Sequence, residues 1–246
     1  YRLDESNINK QDIKPLNLGQ KLFVGSVISD FTNIIISDAP AGSGKTLLAL
    51  STAIRLVKEK KFNRIVYIRN SIESIDKGED IGYLPGLEEK FAIYNHPLYD
   101  TLKFIAKQQL TQANHNKSNK DQISDELIDK RAEELQERYN ITTMWIGELR
   151  GRTISDAVVI CDEFGNFSKK SGQLVISRLD KGCKLIVIGS NNQIDNPYIN
   201  KYTNALSTLF NATKEKHPEV KLHATVMDKI VRGGITAFAE KVFNRK

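Results

Sequence analysis

The chain has 246 residues, of which 40% are hydrophobic and 27% charged, and its formal net charge is +6. This composition is typical of an ordinary folded globular protein. No apolar stretch approaches the roughly 18 residues of a membrane-spanning helix and no secretory signal is visible, so we expect a cytoplasmic protein without a membrane partner. The two cysteines and four scattered histidines do not have the spacing of a disulfide framework or a metal site.

The first part of the chain predicts an arm, a helix and a strand. Residues 1–18 are polar and are expected to form an extended N-terminal arm, followed by a single domain over 19–246. Residues 20–30 carry apolar side chains at helical spacing, and the apolar run 33–37 predicts the first strand.

The eight residues after this strand have the pattern of a phosphate-binding loop. A helix begins directly behind them, so backbone N–H groups and the positive helix end point at one spot that suits a polyphosphate. Lys45 is expected to reach the β- and γ-phosphates of the ligand, and the Thr46 hydroxyl to bind Mg²⁺. The position that is usually the first glycine is Ala39. The loop comprises Ala39, Pro40, Ala41, Gly42, Ser43, Gly44, Lys45 and Thr46.

Helical and strand patterns alternate over the rest of the chain. A second strand is expected at 64–69, followed by a long connection, and a helical insertion is expected at about 88–140 with a polar turn at 111–122. Strands separated by helices imply an α/β fold, in which a parallel sheet is covered by helices on both faces. The remaining predicted strands are 141–146, 157–162, 184–189 and 220–226, and the last predicted helix is 235–243.

Two carboxylates follow the apolar run 158–161. In a parallel sheet, ligands bind at the carboxyl ends of the strands, where Asp162 and Glu163 are therefore expected. We expect Asp162 to hold Mg²⁺ through water, and Glu163 to orient or deprotonate the attacking water.

Amide side chains follow the strand 184–189. Such groups can sense whether a γ-phosphate is present, and Gln193 is the first choice for this contact, with Asn191 the second. Lys45, Glu163 and Gln193 are thus three of the predicted catalytic residues.

Several longer stretches resemble those of a known family. The resemblance runs from about Lys14 to Val242, and it identifies the chain as similar to the PhoH-like ATPases, whose core is similar to that of superfamily 1 helicases. It implies a RecA-like P-loop NTPase core that uses ATP and Mg²⁺. A stand-alone domain of this size is similar to phage-borne members, for which the expected location is the host cytoplasm. The stretches that carry the resemblance are 81–90, 97–100, 149–157 and 228–232.

The resemblance also implies partners and further site residues. Gln20 is expected to hydrogen-bond the adenine edge of ATP. RNA or single-stranded nucleic acid is the expected macromolecular partner, with Arg69, Asn70 and Ser71 contacting its phosphates and Tyr83 of the loop 70–86 stacking on a base. The acidic residues of this loop argue against a simple phosphate track. The expected assembly is a homo-oligomer, with a hexameric ring as the size considered. A neighbour in that ring could supply the arginine of the transition state, for which the candidates are Arg232 first, then Arg150, Arg152 and Arg178.

Three departures from the family pattern concern turnover more than nucleotide binding. Ala39 replaces a glycine, Ser190 stands where relatives have an aspartate, and Phe164 and Gly165 stand where relatives have Ala-Gln after the Asp-Glu pair. Two alternatives to an ATPase stay open, of which the first is favoured by Ala39 and Ser190. One is a nucleotide-dependent binding switch with little turnover, and the other is a small-molecule phosphotransferase.

Overall fold

A computed structural model describes residues 4–69, 87–115, 123–231 and 233–243. It contains a six-stranded parallel sheet with the strand order β3-β2-β4-β5-β1-β6. The central strands are apolar and buried on both faces, as the sequence of a parallel sheet requires. The strands are β1 (Ile34–Asp38), β2 (Arg64–Arg69), β3 (Ile141–Trp145), β4 (Ala157–Asp162), β5 (Lys184–Gly189) and β6 (Leu222–Val226).

Helices pack on both faces of this sheet. Successive residues of the strands point to opposite faces, so Ile35 joins one buried cluster and Ile36 the other. The first cluster contains side chains of α2 to α5, and the second contains side chains of α6 and α7. The helices are α1 (Glu5–Ile8), α2 (Leu18–Ile28), α3 (Lys45–Lys58), α4 (Leu87–His115), α5 (Asp125–Arg138), α6 (Lys169–Ser177), α7 (Ala205–Ala212) and α8 (Gly234–Phe243).

Side-chain caps fix where several helices begin. The side chain of Asn17 accepts a hydrogen bond from the backbone of α2, and Ser124, Ser168 and Asn204 do the same for α5, α6 and α7. Each cap satisfies a backbone N–H that has no partner within its helix. None of the helices in the described ranges is long and apolar enough to cross a bilayer.

The structure confirms the α/β class and differs from two local expectations. The N-terminal segment is not wholly extended, because it forms the single turn α1 and buries Ile8 completely in the core. Arg55 fixes this turn by donating to the backbone oxygen of Asn7 at 2.7 Å. The polar tract 111–122 begins in helix rather than in a turn, since α4 continues to His115.

The sheet order brings four chain segments to one edge. Because all strands are parallel, their carboxyl ends meet there, and β5 lies between β1 and β4. The loop after β5 is therefore placed between the phosphate loop after β1 and the carboxylates after β4. β2 lies on the other side of β4, so its last residue, Arg69, is level with Asp162.

Candidate functional site

The phosphate loop has the backbone geometry of an anion cradle. Gly42 and Gly44 have φ angles of 74° and 83°, in the left-handed region that favours glycine. Gly44 is the N-cap of α3, so the first N–H groups of that helix face the loop. The Lys45 ammonium donates to the Pro40 carbonyl oxygen at 3.3 Å, a backbone acceptor that a phosphate can replace.

Ala39 fits its position without strain. It is not among the residues with positive φ, so its backbone does not need glycine. Its N–H donates to the Gly189 carbonyl oxygen at 2.9 Å, and its side chain is 1% exposed within the first core cluster. The departure from glycine therefore leaves the loop backbone intact.

The two predicted metal ligands lie in contact. The Thr46 hydroxyl donates to Oδ2 of Asp162 at 2.9 Å, and the Glu163 N–H donates to Oδ1 of the same carboxylate at 2.8 Å. One hydroxyl and one carboxylate are oxygen ligands of the kind that Mg²⁺ takes, together with water and substrate phosphates. The described residues contain no cluster of three or more His, Cys, Asp or Glu that could hold a metal. The donor set therefore fits a nucleotide-bound Mg²⁺.

Tyr67 is a site residue that the sequence interpretation missed. Its hydroxyl donates to Oδ2 of Asp162 at 2.6 Å from the neighbouring strand β2. Burial and then the Asp162 carboxylate raise the pKa of Tyr67 well above its ordinary value, so the hydroxyl stays a donor. A tyrosine in an otherwise aliphatic buried strand was the available signal, because a buried hydroxyl needs a partner.

We expect Tyr67→Phe to lower the free energy of unfolding by about 1.5–3 kcal/mol, the range for hydrogen bonds to charged groups. The variant leaves the buried Asp162 carboxylate without one of its donors. Urea unfolding monitored by circular dichroism measures the change. Tyr139→Phe is the matched control, because Tyr139 is buried but its hydroxyl has no hydrogen-bond partner within the described ranges. Equal losses in the two variants would contradict the prediction.

Glu163 is paired with an arginine. Its backbone has a φ of 53°, unusual for a residue with a side chain, and its carboxylate accepts from the Arg69 guanidinium at 2.6 Å. Burial disfavours the Arg69 cation, but Glu163, together with smaller contributions from Tyr67 and Asp162, outweighs this and holds the pKa of Arg69 above its ordinary value. The candidate base is thus bound by a cation in this arrangement.

A cavity of about 1270 Å³ joins these groups. One wall consists of the phosphate loop and the ends of β2, β4 and β5. The other wall consists of the segment 12–16 and one side of α4, which are connected by a hydrogen bond of 3.0 Å from Gln109 to Asp12. The cavity is lined by the predicted residues Ala41, Gly42, Gly44, Lys45, Thr46, Asp162, Glu163 and Gln193, and also by Arg69 and Ser190.

The loop after β5 distinguishes the two candidate sensors of the γ-phosphate. Gln193 lines the cavity. Asn191 instead donates through its backbone and side chain to Asp38, at 3.1 Å each, and its side-chain oxygen accepts from Asn204 and Ser207. These bonds connect the loop to the end of β1 and to α7, which gives Asn191 a structural role here.

Gln20 contacts the phosphate loop from within the protein. Its side chain is 2% exposed, donates to the Ser43 carbonyl oxygen at 2.8 Å and accepts from the Leu16 N–H at 2.6 Å. It therefore connects the segment before α2 to the loop. The adenine contact expected of Gln20 stays a prediction.

The candidate arginines are not gathered at the cavity. Arg150 and Arg152 are exposed between β3 and β4 and do not line it. The Arg178 carbonyl oxygen accepts from Ile154, which precedes β4 and lies towards the opposite sheet edge. Arg232 lies outside the described residues, as do Asn70, Ser71 and Tyr83 of the loop 70–86.

Comparison with known proteins gives consistent matches. The family model described as PhoH-like protein matches residues 12–244. A PhoH-like protein of Mycobacterium tuberculosis is 33% identical over 196 residues, which are 79% of this chain and 48% of that protein. A PhoH-like protein of Bacillus subtilis is 32% identical over 192 residues, which are 78% of this chain and 52% of that protein. The chain thus spans about half the length of these relatives.

One solved structure also overlaps with the chain. The crystal structure of the DUF1998 helicase MrfA bound to DNA superposes with a TM-score of 0.41 at 11% sequence identity. The overlap covers 92% of this chain and 29% of that chain.

Proposed function

The chain belongs to the PhoH-like protein family, and on that premise we propose that it binds ATP with Mg²⁺ and hydrolyses the bond to the γ-phosphate. The observation that carries the proposal is the 2.9 Å hydrogen bond between Thr46 and Asp162, residues 116 positions apart. It joins the phosphate loop to the end of β4, beside Glu163 and within one cavity. A phosphate loop, a metal ligand and a candidate base in one cavity are the groups that attack of water on a bound triphosphate needs.

Each side chain has a distinct proposed role. Lys45 and the loop N–H groups hold the β- and γ-phosphates. Thr46 and Asp162 would hold Mg²⁺, which would neutralise developing charge on the phosphate oxygens. Gln193 contacts the γ-phosphate from the loop after β5.

Glu163 is the proposed base of the hydrolysis step. The oxygen of water forms a bond to the γ-phosphorus while the bond from that phosphorus to the β,γ-bridging oxygen breaks. One water proton goes to the Glu163 carboxylate, and ADP and phosphate leave. Glu163 follows Asp162 directly, so the base and the metal ligand are positioned by the same strand end.

A binding switch with little turnover is the second candidate, because a specific contact favours it. Arg69 holds the Glu163 carboxylate at 2.6 Å, and a base held in this way accepts a proton poorly. If the Arg69–Glu163 pair stays closed when ATP binds, the same site binds nucleotide without hydrolysing it.

A small-molecule phosphotransferase is the third candidate. It ranks below the other two because the Asp162-Glu163 pair favours water over a small-molecule acceptor.

We further propose that hydrolysis is coupled to RNA or single-stranded nucleic acid in the cytoplasm. The net charge of +6 supports a polyanionic partner. A homo-oligomer, such as a hexameric ring, would allow a neighbour to present an arginine such as Arg232.

Phosphate release by the purified chain, with and without single-stranded RNA or DNA, tests this function. We expect Mg²⁺-dependent release from ATP without any added acceptor, and a higher rate with one of the nucleic acids. Binding of ATP without release would favour the switch, and release that requires a small-molecule acceptor would favour the phosphotransferase. Light scattering after size-exclusion chromatography measures the assembly, and a fully active monomer would contradict the ring.

A further inference from the structure

We propose that Arg69 is the cation with which the chain itself stabilises the γ-phosphate in the transition state, and that it exchanges Glu163 for that phosphate when ATP binds. The inference rests on the proposed ATP hydrolysis and adds a catalytic residue to it. In the structure, the side chain of Arg69 is bound by the carboxylate of Glu163, the proposed base.

The sheet places Arg69 within reach of the reaction. It is the last residue of β2 and is the register partner of Asp162 on β4, so the two backbones are about 4.8 Å apart. Asp162 in turn contacts Thr46, the first-turn residue of α3 that follows Lys45. Arg69 thus lies one strand away from the metal ligands, with a side chain long enough to cross that distance.

Arg69 also lines the nucleotide cavity. Among the described residues that line the cavity, Arg69 is the one arginine. The lysines among them are Lys14 and Lys45. The carboxylates of Asp162 and Glu163 lie at the same place, where the triphosphate would add further negative charge. Phosphoryl transfer commonly uses an arginine in addition to the loop lysine and Mg²⁺, and Arg69 is the lining cation that lies beside Asp162 and Glu163.

The Arg69–Glu163 pair is suited to exchange. Its two side chains are 27% and 38% exposed, and partly exposed ion pairs contribute little to stability. The observed contact is one hydrogen bond, from Nη2 of Arg69 to Oε1 of Glu163 at 2.6 Å, whereas two oxygens of a γ-phosphate can take a charge-assisted, bidentate contact from the guanidinium. The backbone of Glu163 need not move, because its N–H stays bonded to Asp162 at 2.8 Å.

One side-chain movement then has two effects. The guanidinium reaches the equatorial oxygens of the γ-phosphate, where negative charge is spread in the transition state. The Glu163 carboxylate is released and can accept the proton of the attacking water. Before ATP binds, neither group is ready, so the exchange would make hydrolysis depend on the bound γ-phosphate.

Three variants test the assignment. Arg69→Ala removes the cation, Arg69→Lys keeps the charge without the bidentate geometry, and Arg64→Ala is the matched control. Arg64 begins the same strand at the opposite sheet edge, where it donates to the Ser155 carbonyl oxygen. Circular dichroism of each variant shows whether it is folded, and Arg69→Gln replaces Arg69→Ala if the latter does not fold.

Binding and turnover are measured separately. We expect Arg69→Ala to lower kcat by about 10³–10⁵-fold, the range for loss of a transition-state arginine. Binding of ADP alone should be unchanged, whereas binding of ADP with aluminium fluoride, which mimics the transferring phosphoryl group, should be lost. Arg69→Lys should recover part of both losses, and Arg64→Ala should match the wild type.

The remaining outcomes overturn the inference. A higher rate in Arg69→Ala would show that Arg69 only restrains Glu163, and an unchanged rate with normal aluminium fluoride binding would show that it does not reach the phosphate. A wild type that does not hydrolyse ATP would sink the proposed hydrolysis instead. In that case, binding of the β,γ-imido analogue of ATP tests the role of Arg69. The inference requires that Arg69→Ala bind this analogue more weakly than the wild type does and bind ADP equally well.

Discussion

Glu163→Gln is expected to lower the rate of ATP hydrolysis by about 10²–10⁴-fold, the usual contribution of a general base. Glutamine keeps the shape of the side chain but cannot take a proton from the attacking water. Nucleotide binding should stay within a few-fold of the wild type, because Lys45, Thr46 and the loop N–H groups are untouched. Single-turnover phosphate release and equilibrium binding of a fluorescent ATP analogue measure the two quantities.

The control for this variant is Glu137→Gln, an exposed position at the end of α5. It removes one negative charge from the chain without affecting the cavity, so its hydrolysis rate should equal that of the wild type. If the wild type hydrolyses ATP and Glu163→Gln does so at the same rate, Glu163 is not the base. If neither protein releases phosphate measurably although both bind ATP, the result supports the binding switch.

Lys45→Ala should have the largest effect on nucleotide binding. The Lys45 ammonium interacts with a backbone oxygen at 3.3 Å, and no carboxylate of the described ranges pairs with it, so its charge is available to the phosphates. A hydrogen bond to a charged group contributes about 1.5–3 kcal/mol, which corresponds to a loss in ATP affinity of about 10–100-fold. Isothermal titration calorimetry with the β,γ-imido analogue measures this loss.

Lys58→Ala provides the comparison within the same helix. Lys58 is the last residue of α3, whereas Lys45 is the first, so the control loses the same charge at the far end. Its affinity for the analogue should not change. An equal loss of affinity in both variants would mean that net charge, rather than contact with the phosphates, determines binding.

The strands of the sheet were predictable because their local pattern and their environment agree. Short apolar runs between polar segments are typical of strands buried on both faces, and β2, β4 and β5 have the predicted bounds. The N-terminal segment was less predictable. Its turn α1 is fixed by a distant contact, that of Arg55 with Asn7, which composition alone cannot reveal.

The residues of the candidate site also differ in how far the sequence alone predicts their roles. The phosphate loop and the Asp-Glu pair are contiguous motifs whose residue types express their chemistry directly. The contacts of Tyr67 with Asp162 and of Arg69 with Glu163 depend on which strands are neighbours and in what register. That information arises only when the sheet is assembled.

Asn191 and Ala39 show two further limits. The amide of Asn191 could sense phosphate as well as Gln193 on sequence grounds, and only its bonds to Asp38 assign it elsewhere. Ala39 differs from the usual glycine, but its φ shows that glycine is not required there. The role of Asn191 depends on its hydrogen-bond partners, and the fit of Ala39 depends on its backbone conformation. Residue type alone reveals neither.

The parallel sheet has a consequence for how the protein reaches its native state. The three contacts that build the site join residues 94, 95 and 116 positions apart, and they connect α3 and β2 to the end of β4. Contacts of such long sequence separation form slowly, because the entropy of closing large loops is lost before the pairing is gained. We therefore expect the nucleotide site to form late in folding, and a chain still being synthesised cannot assemble it until β4 has emerged from the ribosome.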